Sequence, residues 1–216
     1  MLDHMSNVLF IASLETLYMV LFSGFIAVVI GVPLGVILYG TRKNMIISNQ
    51  WINKPLAFVI DVTRSVPFII LLIALIPFTR IIIGTSIGTN AALIPLIVGA
   101  IPFFARVVEN AIDKVNPGLI EAGQSMGARP FQIFTKIMIP ESLPGIINGL
   151  TLMLIGLVSY ASMAGAVGGG GLGSVAINYG YQRFDPTVIV LTVVILVIIV
   201  HLIQWTGDIL AKRLTH

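Results

Sequence analysis

The chain has 216 residues and a formal net charge of +3, with 57% hydrophobic and only 10% charged residues. An ordinary soluble domain carries about 25% charged residues, so this chain cannot cover its own surface with polar side chains, and a water-soluble enzyme is excluded. The 12 Lys and Arg are scattered, which argues against nucleic acid as a partner, and the absence of Cys excludes disulfides, CxxC redox chemistry and thiolate metal sites.

Four stretches contain no Asp, Glu, Lys or Arg: residues 16–41, 81–105, 142–182 and 186–207. A hydrocarbon core of ~30 Å takes about 20 apolar residues as a helix, so an all-α polytopic membrane protein is expected, a single transmembrane domain of five spans in contact with lipid. The opening MLDHMSNVLF carries Asp3 but no Lys or Arg. It lacks the basic region of a cleavable signal peptide, and the first span is expected to direct insertion itself.

That span covers residues 14–39, where Gly24, Gly31, Pro33 and Gly35 would let another helix approach closely. Residues 40–55 read as a solvated connection with Trp51 as an interfacial anchor. Span two covers residues 56–78, with Asp61 and Arg64 three apart near its entry. After a turn-rich connection over 80–90, span three covers residues 91–108 and contains Pro95 and Pro102. Residues 109–148 are the only extended amphipathic stretch, too short for a separate catalytic domain. Span four covers residues 149–167. The glycine-rich segment 168–185 reads as a re-entrant turn, flexible or tightly packed, in preference to a phosphate cradle, since no cation lies beside it. Asp185 and Pro186 form an N-cap and N1 pair that starts span five, residues 186–206, before a short basic tail. No internal repeat is visible.

Five alternating spans place ten basic residues on one side and only Arg80 and Arg183 on the other. The positive-inside bias then puts the N-terminus outside and the C-terminus in the cytoplasm. On the cytoplasmic side, Asn116-Pro117 starts a short helix, Gly127 offers a left-handed stop, and Pro130 opens a second helix expected to end near Pro140. An L-shaped pair of this kind suits docking in a partner's groove, with an ordinary interfacial helix as the plainer alternative.

The string EAGQSMGARPFQIFTKIMIP resembles the EAA loop of ABC importer permeases: Glu121, Ala122, Gly127, Ile137 and Pro140 match at the family spacing, while Gly123 and Ile139 depart from it. The runs RSVPFIILLIALIPFTRIIIGTSIG, PFFARVVENAI and YASMAGAVGGGGLG are further similar to the permease subunit of bacterial methionine importers. The resemblance implies a bacterial inner-membrane subunit that pairs with a second copy of itself, with two ATPase subunits and with an external substrate-binding protein. Glu121, Ala122, Gly123, Gly127, Ile137 and Pro140 would couple it to the ATPase. It implies no catalytic residue, cofactor or metal on this chain, ATP and Mg²⁺ being held by the partner. The expected cargo is L-methionine, with D-methionine or related amino acids as further candidates, and another amino acid or small organic solute as the alternative.

No GxxxxGK[ST] and no HExxH occurs, so the chain carries no recognisable hydrolytic motif. An intramembrane enzyme built on Ser174 and His201 is the competing class, disfavoured because His201 lies fifteen residues into span five, about 22 Å from its start. Asp61 with Arg64, and Arg106 with Glu109, read as i,i+3 pairs snorkelling at the boundary, or as gates. Span four is uncharged, which suits a zwitterionic, partly apolar cargo. Tyr160, Ser162 and Met163 are its candidate path residues, with ordinary helix packing as the alternative.

The topology is tested by single cysteines in this Cys-free chain. A cysteine at Asn90 is expected to react with an impermeant thiol reagent added to intact cells, and one at Ala128 or His216 is expected to stay unlabelled. Labelling at Ala128 would overturn the orientation.

Overall fold

The computed structural model describes residues 2–43, 45 and 47–214. Met1, Asn44, Ile46, Thr215 and His216 lie outside them, and with them the end of the expected basic tail and the labelling position at His216. All regular structure among the described residues is helical. Helix α1 runs Leu2–Gly40 and so begins well before residue 14. Polarity marks where an apolar run starts rather than where a helix does, and nothing between Leu2 and Ser13 breaks one.

The second span differs from the continuous helix expected over 56–78. It is two helices, α2 (Gln50–Ser65) and α3 (Phe68–Ile83), meeting at 108°. The break falls at Pro67, which lacks an N–H and drives Val66 into an extended conformation, φ −81° and ψ 126°. Pro95 and Pro102 leave α4 (Thr89–Ile112) unbroken. That helix is packed against α1, α2, α3 and α7, and such neighbours let a helix continue through a proline. Among the described residues four helices are long and apolar enough to cross a membrane, and the bent pair makes a fifth crossing if it is counted as one span.

Helix α4 lies at the centre. Leu96, Phe104, Val108 and Ile112 are fully buried between α1 and α7 (Ile139–Ala166). Helix α1 reaches it through small residues: a Cβ added at Gly35 would lie 2.6 Å from the Ala105 carbonyl oxygen and from Val108 Cβ. Without a difference in apolarity between lipid and protein, such close contact is the main source of helix association. Helix α9 (Pro186–Leu214) is capped by Asp185, whose Oδ1 accepts the Thr187 N–H at 3.0 Å. It seats Gly207 against Thr151 of α7 and leaves Val190, Val194, Ile198 and Trp205 exposed.

The glycine-rich segment is not an open turn. It contains a short buried helix, α8 (Gly171–Val175), continued by a π turn over Ala176–Tyr181. Two residues of α1 hold its first turn: Gly171 N–H donates to Glu15 Oε2 at 2.7 Å and Leu172 N–H to Thr16 Oγ1 at 2.9 Å. Gly171 has φ +70°, and a Cβ there would sit 2.7 Å from Thr16 Oγ1. The chain's own carboxylate fills the place a phosphate would need, and of the flexible and tightly packed alternatives for this segment the tightly packed one is adopted.

Gly35→Val is expected to lower the midpoint of thermal unfolding in detergent, by a destabilisation of about 1–3 kcal/mol from overpacking against α4. Gly99→Ala, whose added carbon meets only ordinary contacts from 3.6 Å outward, is expected to leave the midpoint unchanged or higher.

Candidate functional site

The segment after α4 is built from local signals. Asn116 Oδ1 accepts the Gly118 N–H at 2.9 Å, capping α5 (Pro117–Ser125) with Pro117 in its first turn. Glu121 and Ala122 are exposed on this helix, while Gly123 is buried. A Cβ on Gly123 would lie 2.6 Å from Ile137 Cδ1, so the missing methyl lets Ile137 close over α5.

Gly127 ends the helix with φ +76°. Its N–H donates to the Gln124 carbonyl at 2.9 Å, and the Ala128 N–H donates to the Gly123 carbonyl at 3.0 Å, the paired bonds of a Schellman stop. The chain then turns, the Arg129 N–H donating to Gln132 Oε1 at 2.9 Å, and enters α6 (Pro130–Ile133).

The second arm does not end near Pro140. Helix α6, a π turn over Phe134–Met138 and α7 form one helical rod of 37 residues, Pro130–Ala166. The Ile139 N–H reaches back five residues to the Phe134 carbonyl. This wider ring makes room for Pro140, which has no N–H to donate and would crowd a carbonyl of a regular helix. Pro140 therefore sits inside a continuous rod whose exposed end is the second arm of the loop. The rod also touches α1: the Phe134 ring is buried against Gly40, 2.7 Å from where a Cβ would stand.

Beside this loop lies an ionic cluster. Glu109 is only 1% exposed, and its two oxygens are taken by Arg106 at 2.6 Å and Arg42 at 2.7 Å. Arg42 also meets Asp113 at 3.1 Å. Arg106 grips Asp61 of α2 with two hydrogen bonds, 2.6 and 3.0 Å. The i,i+3 pair of Arg106 and Glu109 is present but buried rather than snorkelling. The pairing of Asp61 with Arg64 is replaced: Asp61 bonds Arg106 on another helix, and Arg64 lies 5.8 Å from the Phe103 ring centroid. Sequence reasoning missed Arg42, assigned to a solvated connection, and Asp113. One signal was available, since Arg106, Glu109 and Asp113 fall at i, i+3 and i+7 on one face of α4 and its C-cap.

The three candidate path residues lie on α7 and differ in their local contacts. The Tyr160 ring stacks on Phe68 at 4.4 Å and 7°. Ser162 donates to the Val158 carbonyl at 3.0 Å and lines a groove of about 400 Å³ between α7 and α9 with Ser159 and His201. Met163 is exposed. The Ser174 hydroxyl accepts from Asn178 Nδ2 at 3.0 Å, and His201 Nδ1 lies 3.0 Å from the Val197 carbonyl oxygen, so each has a local partner.

The site is thus an exposed, sharply stopped short helix at one end of an apolar helical bundle of membrane-spanning length. The family model of the binding-protein-dependent transport system inner membrane component matches residues 8–216. The chain belongs to this family of multi-pass inner-membrane transport components. It is 51% identical over 211 residues to the probable D-methionine transport system permease protein MetI of Vibrio cholerae, covering 98% of this chain and 94% of that one. It is also 51% identical to the protein of that name from Pasteurella multocida, covering 95% of each. A chain of the MetNI methionine ABC transporter, solved in an inward-facing conformation in its CY5 native crystal form, matches all of both chains with a TM-score of 0.98 and 49% identity.

Glu109→Gln leaves two guanidiniums around an uncharged group, and is expected to destabilise the fold by about 3–5 kcal/mol, the usual cost of breaking a buried ion pair on one side. Asp113→Asn removes only a half-exposed partner and is expected to cost about 0–1 kcal/mol. Thermal unfolding of the two variants in detergent compares them directly.

Proposed function

We propose that this chain is the permease subunit of an ATP-driven methionine importer of a bacterial inner membrane. In this reading its N-terminus is outside and its C-terminus cytoplasmic. Two copies share one translocation path and carry two ATPase subunits, and an external substrate-binding protein delivers the cargo. The near full-length likeness to MetI relatives supports the cargo class. The likeness to an inward-facing MetNI chain supports taking the present conformation as the inward-facing one.

The observation that carries the coupling role is the rigid seating of an exposed helix. Helix α5 offers Glu121 and Ala122 outward, and Gly123, Ile137 and the stop at Gly127 hold it against the foot of the rod. A displacement of α5 by a closing ATPase pair therefore reaches α7 directly, and α1 through Phe134 and Gly40. Pro140 rides in the same rod. ATP and Mg²⁺ belong to the partner, and this chain contributes a shift between inward-open and outward-open populations rather than chemistry. An ATPase sandwich has two clefts and each permease has one coupling loop, so a C₂ pair is the simplest closed assembly. Tyr160, Ser162 and Met163 of both copies are proposed to border the path, a neutral surface suited to a zwitterion with an apolar thioether side chain.

Uptake of radiolabelled methionine by cells that depend on this permease tests the function. Gly127 has open space around its missing Cβ, so a substitution there acts through φ alone, at about 1–2 kcal/mol for an L-residue and more for a branched one. Gly127→Val is expected to insert yet lose uptake, whereas Gly127→Asn, which tolerates the left-handed region, is expected to keep most of it. Full uptake by the valine variant would make the stop incidental. Uptake of another solute but not methionine would remove the cargo while leaving the coupling role in place.

A further inference from the structure

The geometry points to a binding site for an anionic phospholipid between α1 and the foot of the rod, with one acyl chain in an apolar groove and the headgroup phosphate on Arg129. The groove encloses about 870 Å³ and is walled by Val36, Ile37, Phe134 and Ile139, with Arg129 at its rim. It follows α1 from Val32 to Thr41, about 14 Å at 1.5 Å per residue, which is close to one leaflet of a ~30 Å hydrocarbon core. Most of this length lies along the uncharged stretch of α1. A soluble ATPase cannot follow the groove to that depth, and a lipid chain can.

The open end carries the marks of a membrane–water boundary. Trp51, in the first turn of α2, is 92% exposed next to Ile52, which also borders the groove. Arg129 is exposed, takes part in none of the ion pairs among the described residues, and makes its local hydrogen bonds through its backbone, the N–H donating to Gln132 Oε1 and the carbonyl accepting from Gln132 and Ile133. A guanidinium with free donors above an apolar slot matches a phosphate ester attached to a hydrocarbon chain. The site depends on the membrane placement of the chain and not on its cargo.

Native mass spectrometry of the purified complex, titrated with phosphatidylglycerol or phosphatidylcholine, tests the site. The wild type is expected to retain one phosphatidylglycerol per permease copy in preference to phosphatidylcholine. Arg129→Gln is expected to reduce that preference about five-fold, the effect of one basic residue at an anionic surface. Val36→Trp, which fills the slot, is expected to lower retention of both lipids. Equal lipid retention in all three proteins overturns the proposal. So does loss of the ATPase subunit from Arg129→Gln with lipid retention unchanged, which would assign the guanidinium to the partner interface. Displacement of the bound lipid by inorganic phosphate alone would overturn the acyl-chain component. Methionine uptake is measured separately, so failure of the importer reading leaves the lipid result interpretable.

Discussion

The buried carboxylate of Glu109 is the constraint on which the loop end of the molecule depends. A lone charge at 1% exposure would be heavily penalised by desolvation, and two guanidiniums at 2.6 and 2.7 Å remove that penalty only while both stay in place. Arg42 comes from the connection after α1, Arg106 is on α4 itself, and Asp61 on α2 holds Arg106 from the other side. One buried acid thus ties three segments into a fixed relation. Asp61 and Asp113 sit at its solvated margins, so the cluster is stiff in the middle and adjustable at its edges.

Helix α5 is held in place through a second device. A loop built of two independent short helices would absorb displacement at its far end. Here the second arm runs without interruption into a membrane-crossing helix, and a π turn rather than a break accommodates Pro140. The corner between the arms falls at Gly127, where the Schellman hydrogen bonds set the angle. In the proposed coupling role, a displacement of α5 reaches α7 along this rod and α1 through the contact of Phe134 with Gly40.

At the opposite end the same economy of polar groups recurs. The glycine-rich segment uses its small residues to pack backbone against backbone, and Glu15 and Thr16 accept the N–H groups that α8 leaves free at its start. A helix start buried without such acceptors would be costly in a low-dielectric setting, so the acid in the first half of α1 has a structural use that apolar patterning hides.

Composition and short-range chemistry were sufficient for several features. The all-helical membrane build follows from long uncharged runs, because a backbone in hydrocarbon must satisfy its own hydrogen bonds. The start of α5 at Asn116-Pro117, the stop at Gly127, the new start at Pro130 and the cap at Asp185 were legible because each depends on one residue's φ or one side-chain acceptor. Tertiary structure decided the rest. Whether a proline breaks a helix depends on what packs around it, so Pro67 and Pro102 look alike in sequence and behave differently. Asp61 had an arginine three residues away and chose another 45 residues on, because partner choice for a charge is set by which helices meet. Tyr160 and Met163, three apart, fall on one face of α7 and Ser162 on another, and what each side chain meets there is set only by packing.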